Sequence, residues 1–168
     1  MNYSYLGISI TQFILLLITW ILFPFYIKNN TNYLFGNLPK RSRAIYYTGI
    51  AITLASIIYL IYYSSLQEVS DSHDIADKIL FSLYLFLMSI WSILMIFYYI
   101  TKKPYIYTLI KITVILYALT AVGLFINICM DTPWTTNDKI AFASIFFITL
   151  QAVVGDAIFW NKYFPKLK

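Results

Sequence analysis

Five runs of apolar residues, roughly 5–27, 44–64, 79–100, 105–130 and 140–164, dominate this 168-residue chain. Each reaches the about 20 residues that a helix needs to cross the hydrocarbon core of a bilayer. In lipid the backbone must satisfy its own N–H and C=O groups, and continuous apolar runs of this length do so as helices. A soluble surface helix keeps a polar face, and none of these runs has one. The composition agrees: 61% of the residues are hydrophobic and 11% charged, where a soluble domain has about 45–50% and about 25%. The chain therefore reads as an all-α integral membrane protein, a single transmembrane domain over 1–168 built as a five-helix bundle. No basic residue precedes the first run, and that run is long, so it reads as a retained spanning helix rather than a cleaved signal peptide.

The connections between the runs alternate in charge. The first holds Lys28, Lys40, Arg41 and Arg43 and no acid. The second holds Glu68, Asp71, Asp74 and Asp77, the third Lys102 and Lys103, the fourth Asp131 and Asp138, and the tail Lys162, Lys166 and Lys168. Cytoplasmic loops collect Lys and Arg, which predicts the N-terminus outside and the C-terminus inside. Which membrane is involved is not written in these residues. The net charge of +5 is thus a topology signal, with anionic lipid as its natural partner, and nucleic acid is excluded as a partner.

No cofactor is expected. The single cysteine, Cys129, rules out an internal disulfide, and the single histidine, His73, leaves no His/Cys set for zinc or paired axial ligand for haem. The acidic stretch 68–77 lacks the ligand register and the glycine of a calcium loop, so it reads as solvated. No nucleophile–base arrangement and no phosphate-cradling glycine loop is present, so an enzyme is not the expected class.

Trp20, Phe23, Phe25 and Tyr26 near the inner end of the first helix read as interface anchors, as do Tyr98 and Tyr99 at the end of the third and Trp160, Tyr163 and Phe164 at the end of the fifth. Pro24 is placed to end or kink the first helix.

The second and fourth runs, and the third and fifth, share patterns. Residues 47–53 match 107–113 at an offset of 60, residues 77–82 match 138–143 at 61, and residues 96–99 match 158–161 at 62. This predicts that helices 2–3 and 4–5 form a parallel hairpin repeat about an axis along the membrane normal. In each copy an aspartate, Asp77 or Asp138, stands at the outer start of an inward-going helix, where a carboxylate caps free amides and meets the positive end of the helix dipole.

Two charges interrupt the apolar runs of the second copy only: Lys111 and Asp156. Both lie about 10 Å from the inner boundary at a rise of about 1.5 Å per residue. Helices four and five are joined by a short loop and read as antiparallel neighbours, so an ion pair between the two charges is geometrically available. A lone Lys111 would instead snorkel to the headgroups; a lone Asp156 would make a protonated or hydrogen-bonded helix contact. Gln151 lies deeper on the same helix, Gly155 permits close backbone approach, and Thr113, Tyr117 and Thr120 on helix four extend a polar seam. The candidate site is Lys111, Asp156, Gln151 and Tyr117, with no metal.

After the first helix the chain reads Tyr33-Leu-Phe-Gly-Asn-Leu-Pro-Lys, and helix three contains Leu83-Tyr84-Leu-Phe-Leu-Met-Ser-Ile-Trp91. With five helices, this length and an outside N-terminus, the layout resembles that of the TspO translocator family. The family's diproline and helix-three asparagine are absent here, so the resemblance carries over no ligand residue.

Two functions follow. The first is binding or translocation of a small apolar or ionic ligand within the bundle. The alternative is a structural or accessory subunit of a larger membrane complex or homo-oligomer, which needs no site.

Overall fold

The computed structural model describes residues 3–26, 39–66, 72–130 and 135–164, and every element in them is helical. The elements are α1 (Tyr3–Tyr26), α2 (Lys40–Leu66), α3 (Ser72–Thr101), α4 (Pro104–Met130) and α5 (Thr136–Tyr163). Four of them, α2 to α5, are long and apolar enough to cross a membrane. The first expected span is also a helix, but its described apolar stretch, Gly7–Ile21, is shorter.

The helix ends follow local chemistry. Pro39 supplies the carbonyl that Arg43 N–H bonds at the start of α2 (3.1 Å). Pro104 opens α4, where a missing N–H costs nothing. Between α3 and α4, Lys102 adopts φ 54° and returns its N–H to the Tyr98 carbonyl at 2.7 Å, a left-handed closure of the kind usually given to glycine. Thr135 caps α5 through a capping box: its hydroxyl accepts from Asp138 N–H, and the Asp138 carboxylate accepts from Thr135 N–H at 2.5 Å. The capping reading of Asp138 is thereby met. That of Asp77 is not: α3 begins at Ser72, so Asp77 lies inside the helix and accepts from Asn127 Nδ2 of α4 at 2.8 Å. Glu68, Asp71 and Asp131 lie outside the described residues, as do the side chains of His73 and Asp74.

The helices close a ring in the order α1, α3, α4, α5, α2, each packed on the next, with α2 returning to α1. Chain neighbours α4 and α5 are ring neighbours, but α2 and α3 face one another across the interior. The sequence repeat is therefore not matched by two equivalently packed hairpins. Lipid gives helices no hydrophobic reason to associate, so packing and interhelical hydrogen bonds hold such a ring. They are present at four seams: Trp20 Nε1 to Ser92 Oγ (3.2 Å), Asn127 to Asp77, Thr149 Oγ1 to the Ala121 carbonyl (3.1 Å), and the α2–α5 bonds described below.

The interior is aromatic. Tyr84, Trp91, Tyr98, Tyr117 and Trp160 are buried. Trp91 meets Trp160 and Tyr117 edge-on, with centroids 5.4 and 6.3 Å apart, and Trp160 stacks on Phe164 at 4.2 Å. This corrects the anchor reading of Tyr98, Trp160 and Phe164: their rings fill the bundle rather than facing headgroups, because rings on facing helices interlock there. Trp20, Tyr99 and Tyr163 are half-buried, and the side chains of Phe23, Phe25 and Tyr26 lie outside the described residues. The outer surface is apolar as well, with Ile45, Ile79, Ile100 and Leu119 turned outward. A bundle apolar inside and out suits lipid and not water.

Candidate functional site

The last turns of α5, Gln151–Trp160, are wound as a π-helix. In an α-helix, residues five apart differ by about 140° in direction at about 100° per residue. The wider turn, whose hydrogen bonds run i to i+5, brings Gln151 and Asp156 onto one side. Gln151 Nε2 donates to Asp156 Oδ1 at 3.0 Å. The same oxygen accepts from the Tyr46 hydroxyl of α2 at 2.5 Å. All three residues are buried. A buried carboxyl group costs several kcal/mol without partners, and two donors on one oxygen offset that cost.

Two glycines make room for the amide. A Cβ on Gly155 would lie 2.5 Å from Gln151 Nε2, and one on Gly49 would collide with Gln151 Oε1. The Gln151 side chain is thus laid between α2 and α5 against the backbone of two glycines, its nitrogen turned to Asp156 and its oxygen against Gly49.

Two spaces adjoin this cluster. On the outer side, an open groove of about 580 Å³ runs between α2 and α5, lined chiefly by Ile45, Ile52, Phe147, Leu150, Val154 and Phe159. On the inner side is a cavity of about 20 Å³ bounded by Asp156, Thr53, Met88 and Trp91 among others. Tyr46 and Gln151 border both spaces and form the wall between them.

Of the residues singled out from sequence, Asp156, Gln151 and Tyr117 come together. The Tyr117 ring is fully buried and its hydroxyl lies within electrostatic range of Asp156. Lys111 does not join them. Its Nζ stands over the Tyr107 ring, 4.8 Å from the centroid, and no Lys111–Asp156 ion pair forms. Tyr107 is one turn nearer the start of α4, so this is the snorkelling geometry rather than the paired one. Thr113 and Thr120 leave the seam too, because each hydroxyl bonds its own helix, at Leu109 (2.8 Å) and Leu116 (2.9 Å).

Sequence reasoning missed Tyr46 and Gly49. Tyr46 sits six residues after Lys40, the depth already assigned to Asp156, which was the available signal. Toward the other end of α2, a second tyrosine–aspartate bond joins the same two helices: Tyr63 donates to Asp138, and Tyr59 to the Asn137 carbonyl at 3.2 Å.

No family model, no curated protein and no solved structure matches this chain. The likeness of layout to the TspO family draws no support from them.

Proposed function

We propose that this is a multi-pass membrane protein, with all five helices in the bilayer, the N-terminus outside and the C-terminus inside, that binds a small lipophilic molecule in the groove between α2 and α5. One observation carries the reading: a groove of about 580 Å³ with apolar walls and the Gln151 amide at its floor. Ligand sites are typically about 300–1,000 Å³, mostly apolar, with a few fixed polar groups. A chain that only fills a bundle has no need to place a glutamine between two glycines beside a carboxyl group. The alternative, an accessory subunit, would use the outward apolar face of α1, where Ile14, Ile18 and Ile21 are exposed, but α2 to α5 expose comparable faces, so nothing singles α1 out.

The test uses the protein in phosphatidylcholine nanodiscs with a photoreactive alkyl diazirine that has no polar head. Adducts on Ile52, Leu150 and Val154 should saturate with probe concentration and disappear in Val154→Trp, which fills the groove. Adducts on the exposed α4 residues Leu116 and Leu119 should rise without saturating. Indistinguishable behaviour of the two sets would defeat the reading.

A further inference from the structure

We infer that the groove selects lipophilic molecules whose head donates hydrogen bonds, an amine or a hydroxyl, over those whose head only accepts them. The inference rests on the groove reading above and names the ligand class.

It follows from how the wall between groove and cavity is wired. The wall consists of Tyr46 and Gln151. Tyr46 has one O–H, and it is committed to Asp156 Oδ1. The Gln151 amide commits its nitrogen to the same atom. Asp156 Oδ1 accepts this bond as it accepts that of Tyr46, which turns the nitrogen end of the amide to Asp156. The carbonyl Oε1 is then left on the other end, against Gly49, itself a groove residue. Oε1 makes no hydrogen bond among the described residues, so the groove floor presents an open acceptor. Among the described residues the groove lining contains no lysine or arginine.

Head groups sort accordingly. An ammonium or hydroxyl donates to Oε1, and the chain head–amide–carboxyl is polarised in one direction, each bond strengthening the next. A carboxylate head brings acceptors to an acceptor, with the Asp156 carboxyl group behind it and no cation on the lining to receive it. Beyond the hydroxyls of Ser42 and of Thr48, the latter bonded to the Ala44 carbonyl at 3.0 Å, little on the lining offsets its desolvation. The glycines contribute directly: a side chain at Gly49 would cover Oε1.

The experiment displaces the saturable diazirine adduct at Val154 with dodecylamine, dodecan-1-ol or dodecanoic acid at equal mole fractions in the bilayer. The three share a chain and differ in the head. The amine, alone or together with the alcohol, should displace the label at about ten-fold lower mole fraction than the acid, the size expected for about one net hydrogen bond. Preference for both means that donation alone selects; preference for the amine alone adds the charge of the head, and either result upholds the inference. In Gln151→Met, which keeps the length and loses the acceptor, the three should converge. The wild-type ranking stands by itself if that variant does not fold. Equal displacement by all three in wild type, or an acid that competes best, would overturn the head-group inference while leaving the groove in place. Loss of the saturable adduct itself would instead remove the groove reading.

Discussion

Tyr46 and Asp156, 110 residues apart in the chain, share a hydrogen bond of 2.5 Å at the end of the α2–α5 seam that loop charge predicts to be the inner one. Seventeen residues on from Tyr46, Tyr63 bonds Asp138 at the opposite end of the same seam, predicted to be the outer one. Two tyrosine–aspartate contacts therefore bracket α2 and α5, and the groove opens in the stretch adjoining the inner one. The arrangement holds the helices in register while leaving a gap between them where side chains on facing turns stop short.

Tyr46→Phe keeps the ring and removes the donor. One buried acceptor then loses a partner, at a cost of about 1–3 kcal/mol. The melting temperature in detergent should fall accordingly. In an Asp156→Leu background the same substitution should cost much less, because its partner is already gone. Equal costs in both backgrounds would mean that the bond contributes nothing.

Gly155→Ala tests the close approach. The new methyl carbon would lie 2.5 Å from Gln151 Nε2, so the amide must leave Asp156, a loss of about 1 kcal/mol for the hydrogen bond. In Gln151→Ala the obstruction is absent, and Gly155→Ala should be neutral or slightly stabilising, as alanine is favoured in helices. A thermal-melt cycle over the four variants reads this directly; a penalty that persists without Gln151 would place the constraint elsewhere.

Much of this architecture is legible in the sequence, for an identifiable reason. A membrane requires about 20 apolar residues per crossing, so the helices announce themselves, and Asp156 stands out because a carboxyl group in such a run is costly. Depth can be counted along a helix, and the count puts Lys111 and Asp156 at similar heights. Direction around the helix axis is not. It depends on the ring order, in which α3 rather than α2 is packed between α1 and α4, and on the π-helical turns that swing Gln151 over Asp156. Tyr46 gave no contrast in a chain with 16 tyrosines. Trp160 and Phe164 looked like headgroup anchors because position near a helix end is visible in sequence, whereas the rings they stack on are not.

The outer latch is a separable unit. Thr135→Ala removes the hydroxyl of the capping box, for which about 1 kcal/mol is typical. Hydrogen exchange should accelerate in the first turn of α5 and leave the Gln151–Trp160 segment unchanged. Tyr63→Phe should add to the effect at the same turn, since Tyr63 bonds the same Asp138. Exchange that increased along the whole of α5 would show that the cap supports the inner site as well.

The proposed orientation rests on loop charge. In a Cys129→Ser background, a cysteine at Ser70, in the acidic second connection, should react with an impermeant thiol reagent in intact cells. A cysteine at Ser42, beside Arg41 and Arg43, should react only after permeabilisation. The reverse pattern would invert the topology.

The last prediction concerns the two charges that interrupt the apolar runs. With Lys111 over Tyr107 and Asp156 bonded to Tyr46 and Gln151, the two have no shared partner. Lys111→Met should lose only a cation–π contact at a half-exposed position, about 0.5–1 kcal/mol. Asp156→Leu should cost more, since it strands the Tyr46 hydroxyl and the Gln151 amide as unsatisfied donors, at about 1–3 kcal/mol each. Because no interaction joins the pair, the double variant should equal the sum of the singles to within about 0.5 kcal/mol. A buried ion pair would behave otherwise: removing one partner would cost about 3–5 kcal/mol and removing the second would recover much of it. Thermal melts of the four proteins in one detergent decide between the two, and a double variant more stable than Asp156→Leu alone would bring Lys111 back to the carboxyl group.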